Sequence, residues 1–471
     1  MSIIDVPVED VENFRNELAS IDRDGSRKWI YARQPKGRYY TARRIVATIL
    51  LIFLFAGPHI YVNGHPFMLL NLPERMFIVF GIPFMPQDFH LVVLLALSSL
   101  VSVALFTAIA GRIWCGWMCP QTIFLEMIFR RIEWFIEGSP KEQAILNAGK
   151  WTKQKIFKKS AKHIIFFGIS FAIANTFLAY IIGRDELLKI QLVDPMNHLS
   201  GLGIITLFSF VFYAVFARFR EQACLIACPY GRYQSVLVDK NTIAVTYDFL
   251  RGEPRGKQNK HAKSDIQNTH GDCIDCHQCV VVCPTGIDIR NGIQLECVNC
   301  TACIDACDHV MTKIGKPKGL IRYTSWEAVK NGTAHVFTGR IKAYLAVWIT
   351  LLSIVGYLFT QRTETETLIL RQPGTTFVKQ GNNAIGNFFN VMITNKSFGD
   401  KNIEIKVLSP EDATMKSLGA YSPVKEFTTL ESRMLVSLPK DKAISGKTVI
   451  QFGVYSQGKL LETVQSAFIA P

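Results

Sequence analysis

Apolar residues gather into five long runs along the chain: Ile45 to Val62, Leu91 to Gly111, Ile164 to Gly183, Leu199 to Ala217 and Ala343 to Thr360, none containing Lys, Arg, Asp or Glu. Each approaches the roughly 20 apolar residues that a helix needs to cross a bilayer. Core helices of soluble proteins rarely stay charge-free at that length five times over, so the runs predict five transmembrane α-helices. Residues 66 to 84 are also apolar, but Pro66, Pro73, Pro83, Asn71, Glu74 and Arg75 interrupt them, which predicts a loop near the membrane surface. After Glu366 the period shortens. Thr367 to Leu370, Asn387 to Thr394, Asn402 to Leu408, Arg433 to Leu438, Lys447 to Tyr455 and Leu460 to Ile469 are short alternating or β-rich runs divided by Gly, Pro, Asn and Ser. They predict a C-terminal all-β, immunoglobulin-like sandwich.

Composition agrees with a membrane protein: of 471 residues, 49% are apolar and only 19% charged, against roughly 25% charged in a typical soluble domain. That apolar content also excludes a disordered chain. The net charge of +14 needs a location before it means anything. Residues 1–44 hold nine Lys/Arg and 112–162 hold ten, whereas 63–90 hold one and 184–198 two. Basic loops stay inside, so the N-terminus and residues 218–342 face the cytosol and the tail after Thr360 lies outside. The positive charge therefore reflects topology and attraction to anionic lipid rather than nucleic-acid binding. The first 44 residues are polar and carry both signs of charge, unlike a secretory signal. The expected units are a cytosolic segment (1–44), a four-helix membrane region (45–219), a cytosolic ferredoxin-like domain (220–340), a fifth helix (341–362) and an outside sandwich (363–471).

All twelve cysteines fall on the inferred cytosolic side or its membrane edge, where a reducing environment favours ligands over disulfides. Eight form Cys273-x2-Cys276-x2-Cys279-x3-Cys283-Pro284 and Cys297-x2-Cys300-x2-Cys303-x3-Cys307. This is the bacterial two-cluster ferredoxin spacing, in which three thiolates grip one 4Fe-4S cluster and the fourth reaches the other. Cluster one is expected on Cys273, Cys276, Cys279 and Cys307, and cluster two on Cys297, Cys300, Cys303 and Cys283. Zinc would leave the regular third cysteine unexplained. Asp308 stands where the second run would usually have proline, and His277 reads as a solvated loop residue. The other four cysteines form a repeat, Cys115-Gly-Trp-Met-Cys119-Pro120 and Cys224-Leu-Ile-Ala-Cys228-Pro229, each following a span that runs outward to inward. Proline disfavours helix at the residue before it, so Cys119 and Cys228 should mark helix ends and four thiols could converge at the cytosolic membrane surface. Soft thiolates suit Cu(I), zinc or an iron–sulfur centre.

This order of elements resembles the cytochrome c oxidase accessory proteins of the FixG/RdxA/CcoG family over nearly the whole chain. The resemblance implies a multi-pass protein of the bacterial inner membrane with a cytoplasmic ferredoxin domain and a periplasmic sandwich. It further implies an iron–sulfur cupric reductase that supplies Cu(I) for assembly of a cbb-type oxidase, working with a copper chaperone or oxidase assembly factors. On that reading Cys115, Cys119, Cys224 and Cys228 form the catalytic copper site, with copper transient and the electron donor unknown. Two alternatives compete: a quinol-linked electron-transfer subunit of the NapH type, and a non-catalytic assembly scaffold. The fifth span and the outside sandwich argue against the first. The outside His59, His65, Met68, Met85, His90, Met196 and His198 read as scattered loop residues rather than a copper-collecting site.

Overall fold

The structure is a computed structural model that describes residues 19–21, 24, 26–72, 76–193, 195–256, 271–333, 336–380, 384–420, 422–442 and 446–471. Residues 1–18, 22, 23 and 25 of the expected N-terminal segment, and Pro73, Glu74 and Arg75, lie outside the described residues. The chain divides into two compact units, residues 1–60 with 95–352 and residues 61–94 with 353–471.

Among the described residues, five helices are long and apolar enough to cross a membrane: α1 (Arg38–Ala56), α2 (Phe89–Ala110), α3 (Lys153–Ile182), α4 (Leu199–Ala214, continued to Phe219 by a π-helical turn) and α5 (Gly339–Thr360). They overlap the five apolar runs, but the first stops short of Val62: a 3-10 turn follows at Gly57–His59, and Tyr61–Val62 pairs with His65–Pro66 as a strand. Helix α3 starts well before its run because Thr152 caps it, accepting a hydrogen bond from the Lys155 amide at 3.2 Å. Two lysines of this extension are buried: Lys155 Nζ donates to the Asn147 and Gly149 carbonyls at 2.9 and 2.6 Å, and Lys162 pairs with Glu137 at 2.9 Å. In the first unit, Phe124, Phe129, Phe166 and Phe216 form the centre of the helical packing. The Phe129 and Phe216 rings stack at 4.5 Å, and Phe166 meets Phe129 edge-on at 4.7 Å, within the 4.5–7 Å range favoured by aromatic pairs.

The cysteine-rich segment of the same unit is built on an antiparallel pair, Ala244–Tyr247 against Ile321–Thr324, with helices Gln278–Val281 and Ala302–Lys313. Its core joins Val245, Ile287, Ile289, Ile304, Met311 and Leu320 to Cys273, Cys279 and Cys307. The described part of the N-terminal segment straps this domain to the helical region. The Trp134 ring N–H donates to the Ala32 carbonyl at 3.1 Å, the Arg33 amide donates to the Val281 carbonyl at 2.9 Å, and Asp305 accepts from the Tyr39 and Tyr40 amides at 3.2 and 2.8 Å.

In the second unit, the order Thr414–Ser417, Thr429–Pro439, Ala384–Asn395, Thr365–Arg371 forms one sheet, with Val378–Gln380 also paired to Ala384–Asn395. Ile403–Ser409, Gly446–Ser456 and Lys459–Ala470 form the other. Alternation explains the packing: Phe389, Val391 and Ile393 point into the core and meet Phe452, Val454 and Phe468. Each of the six expected strands lies within or across an observed one, and Val378–Gln380 and Thr414–Ser417 are additional.

Residues 66–84 differ from the expected loop, and 61–94 group with the sandwich rather than with the four-helix region. Leu69–Asn71, Met76–Val79 and Ile82–Phe84 form a small antiparallel sheet. Pro83 is tolerated because its strand is an edge. The grouping has an electrostatic cause. Asp88, 2% exposed, accepts from Lys396 at 2.7 Å and pairs with Arg362 at 3.0 Å, while Arg362 also donates to the Pro83 carbonyl.

Candidate metal centres

The eight ferredoxin-type cysteines sort around two cavities. One of about 350 Å³ is lined by Cys273, Cys276, Cys279 and Cys307 together with Tyr247, Met311 and Leu320. The other, about 340 Å³, is lined by Cys283, Cys297, Cys300 and Cys303, with Cys279 reaching its wall from the neighbouring site. The backbone around each is a copy of the other. Asp275 and His277 flank Cys276 at φ 53° and 55°, and Asn299 and Thr301 flank Cys300 at φ 52° and 65°. Left-handed residues at these places turn successive N–H groups inward and make a concavity suited to an anionic cluster. The sulfur donors and the left-handed concavities fit a 4Fe-4S group.

His277 also lines the first cavity. It is exposed, its Nδ1 lies 2.8 Å from Arg290 Nη2, and its Nε2 lies 3.3 Å from Asp275. Asp308 has a structural consequence. Without proline after Cys307, helix Ala302–Lys313 continues through it, and the Asp308 carboxylate accepts from the Gly319 amide at 2.8 Å. In the first run, Pro284 follows Cys283 and the helix ends at Val281.

Cys119 and Cys228 occupy matching breaks: each is extended (φ −62°, ψ 124° and φ −74°, ψ 116°), and each is followed by a short helix with proline in its first turn. Proline suits that position because its fixed φ is helical and its missing N–H would have been unpaired. Cys115 lies in the helix Ile113–Trp117 and Cys224 in the π-helical turn Ala223–Ala227. The four thiols are neighbours. Burial pushes Cys115 and Cys224 up to about 12, the surrounding thiols add to the rise, and the Arg112 guanidinium opposes it. These two thiols are therefore protonated at neutral pH without a metal, and metal loading must release protons. Among the described residues, no three Cys, His, Asp or Glu side chains converge closely enough to hold one metal ion.

The first C-x3-C-P motif packs on the second cavity. The half-buried Cys115 lies against the buried apolar group of Val282, Val298, Cys300 and Ala302. Gly116 makes that approach possible: a Cβ there would stand 3.0 Å from the carbonyl carbon and oxygen of Asn299, and closer still to the Val298 oxygen. Trp117 donates to the Tyr323 hydroxyl at 3.1 Å, which donates to the Asn299 carbonyl at 2.9 Å. Arg43, 2% exposed, donates from Nε to the Gly116 carbonyl at 2.5 Å. Sequence reasoning missed Gly116, Trp117, Tyr323, Arg43 and Arg112. Only the placing of a glycine inside the first C-x3-C offered a signal.

Comparison with known proteins follows the same division. The family described as "4Fe-4S dicluster domain" matches residues 219–326, "4Fe-4S binding domain" matches 92–137, and the IG-like fold at the C-terminus of FixG matches 355–471. The nitrogen fixation protein FixG of Rhizobium meliloti is 32% identical over 434 residues, covering 83% of this chain and 82% of its own. Protein RdxA of Cereibacter sphaeroides is 33% identical over 398 residues, covering 80% of this chain and 82% of its own. A crystal structure of a FixG-related protein from Vibrio parahaemolyticus aligns to 23% of this chain and 97% of its own, at 21% identity and TM-score 0.20.

Proposed function

The chain belongs to the FixG/RdxA family of iron–sulfur electron-transfer proteins, and on that premise we propose that it is a membrane-spanning cupric reductase that delivers Cu(I) for assembly of a cbb-type oxidase. The clusters, when bound, supply one-electron carriers. Cluster one is held by Cys273, Cys276, Cys279 and Cys307, and cluster two by Cys297, Cys300, Cys303 and Cys283. Copper is the substrate: Cu(II) takes one electron at the thiols of Cys115, Cys119, Cys224 and Cys228 and leaves as Cu(I). The observation that carries this reading is the packing of the half-buried Cys115 against the group formed by Val282, Val298, Cys300 and Ala302, which brings the membrane-edge thiols up to the cluster-two loop. Polarity follows from exposure. Cys276 is the one exposed cysteine of the twelve, so the electron donor is expected to dock at the cluster-one end. Thiolates hold Cu(I) well because both are soft, so two thiols suffice to trap the product, which needs only two-fold coordination.

The reading is supported by the five apolar helices and by the basic residues that flank them. It sets the N-terminus and the ferredoxin domain in the cytoplasm, the sandwich in the periplasm and the spans in the bacterial inner membrane. Anaerobic stopped-flow mixing of dithionite-reduced protein with Cu(II) tests it. The double variant Cys115→Ala, Cys119→Ala should keep its iron–sulfur spectrum and lose copper-dependent reoxidation. Reoxidation at the wild-type rate would remove these thiols from the reaction, and reoxidation by a quinone in place of copper would favour the quinol-linked alternative.

A further inference from the structure

Two buried arginines near the second cavity have no carboxylate. Arg112 is 7% exposed and Arg43 is 2% exposed, and neither forms an ion pair among the described residues. By contrast Arg130 and Arg220, equally buried, pair with Glu126 at 2.9 Å and Glu133 at 2.5 Å. Arg112 Nε and one Arg43 Nη lack a hydrogen-bond partner. A buried cation without an opposing charge costs several kcal/mol, so a fold that keeps two of them beside one cavity requires an anion there.

Arg112 is placed between three elements. It precedes Cys115 by three residues. Its Nη2 donates to the Gly231 carbonyl at 2.6 Å, just beyond Cys228-Pro229, and its Nη1 donates to the Leu295 carbonyl, two residues before Cys297. The guanidinium thereby ties both C-x3-C motifs to the cluster-two loop. The Arg112 guanidinium favours the thiolates, second only to burial in weight at Cys115 and behind the neighbouring thiols at Cys224 and Cys297, whereas Arg43 does so at Cys300, where Glu126 opposes it. We propose that Arg112 is a positioning residue, the shared counter-cation of the four-thiol site and of cluster two. The proposal rests on the cluster-two and thiol assignments above. A cation held against both centres stabilises the more negative state of each, reduced cluster and metal-bound thiolate, and raises the electron affinity where the electron changes hands.

The test uses full-length protein with its clusters: wild type, Arg112→Gln, Arg112→Lys and Arg43→Gln. Two quantities are read, the cluster-two potential by EPR-monitored redox titration at matched iron content and the retention of Cu(I) against a competing chelator. Arg112→Gln should lower the cluster-two potential and weaken Cu(I) retention several-fold. Arg112→Lys keeps the charge and loses the forked carbonyl bonds, and should restore both. Arg43→Gln should lower the potential and leave Cu(I) retention unchanged. The proposal is overturned if Arg112→Gln leaves the potential where it was, or if Arg112→Lys behaves like Arg112→Gln, which would mark a purely structural role. Should Arg112→Gln not accumulate, Arg112→Lys decides, because a shifted potential with the charge retained contradicts the proposal. Failure of wild-type protein to retain Cu(I) would count against the copper reading alone, and the cluster potential would still decide the role of Arg112.

Discussion

Replacing Gly116 by alanine tests the contact on which the proposed electron route depends. The new methyl group would stand 3.0 Å from the Asn299 carbonyl carbon and oxygen and nearer still to the Val298 oxygen, where ordinary contact begins at 3.4 Å. All of these atoms belong to the backbone, so no side chain can swing aside. The Cys115–Cys119 loop or the cluster-two loop has to retreat by at least several tenths of an ångström, and overpacking of this kind costs about 1–3 kcal/mol. The Arg43 bond to the Gly116 carbonyl is stretched by the same movement. Electron transfer falls steeply with separation. The copper-dependent reoxidation rate should therefore drop several-fold, short of the ~100-fold that a 1 Å misplacement can cost when bonds must align. The assay is anaerobic stopped-flow reoxidation of reduced protein by Cu(II), with iron content and a thermal melt on the same sample. Gly203→Ala serves as the control, since nothing lies within 4 Å of its added Cβ. A Gly116→Ala protein with the wild-type rate and the wild-type melting midpoint would show that the two loops do not touch as described.

Three further outcomes are expected. Cys276→Ser should damage cluster one and spare cluster two, whereas Cys283→Ser should do the reverse, read by EPR of the reduced protein; the opposite pattern in folded variants would refute the crossed ligation. A periplasmic reporter fused after Leu370 should be active and one fused at Gln258 inactive, and activity at Gln258 would overturn the orientation and with it the redox argument about the cysteines. Asp88→Asn removes the carboxylate shared by Arg362 and Lys396 and leaves Lys396, 5% exposed, with the half-exposed Glu366 at 2.7 Å as its remaining partner. The cost should stay below the about 3–5 kcal/mol of a buried charge left wholly unpaired, so the second unit should melt earlier, and an unchanged melt would mean that Asp88 and Lys396 are not buried together.

The five long apolar helices were legible because soluble folds seldom keep a helix free of charge over that length, and the sandwich because Phe389, Val391 and Ile393 alternate with outward residues along one strand. The sorting of eight cysteines around two cavities was legible from spacing alone. What could not be read were features set by tertiary approach. Arg112 follows an apolar span and reads as an ordinary positive-inside anchor, yet it is turned inward onto carbonyls of two distant segments. Residues 66–84 carry too many prolines for a regular strand pattern, but hairpins of two to four residues leave little length for a period of two to show. Their attachment to the sandwich depends on Asp88 meeting Lys396 across 308 positions, which no local pattern encodes. Residues 26 to 37 lack periodicity altogether because they are held by backbone hydrogen bonds and isolated aromatic contacts instead of an apolar face.

The two C-x3-C-P motifs are copies in backbone and not in surroundings, and this asymmetry bears on how four thiols could act. Cys119 and Cys228 share their dihedral angles to within 12°, as expected of a duplicated hairpin. Gly116 of the first motif lies against the cluster-two loop, whereas the second motif meets its own continuation: a Cβ at Gly231 would collide with the Cys224 carbonyl. On the proposed route the electron therefore reaches the Cys115 side first, and Cys224 with Cys228 complete the trap. Loss of the first pair should abolish transfer. Loss of the second should leave the electron route intact and weaken the hold on Cu(I), a difference that separates one shared site from two equivalent ones, because equivalent sites would each lose half of the transfer.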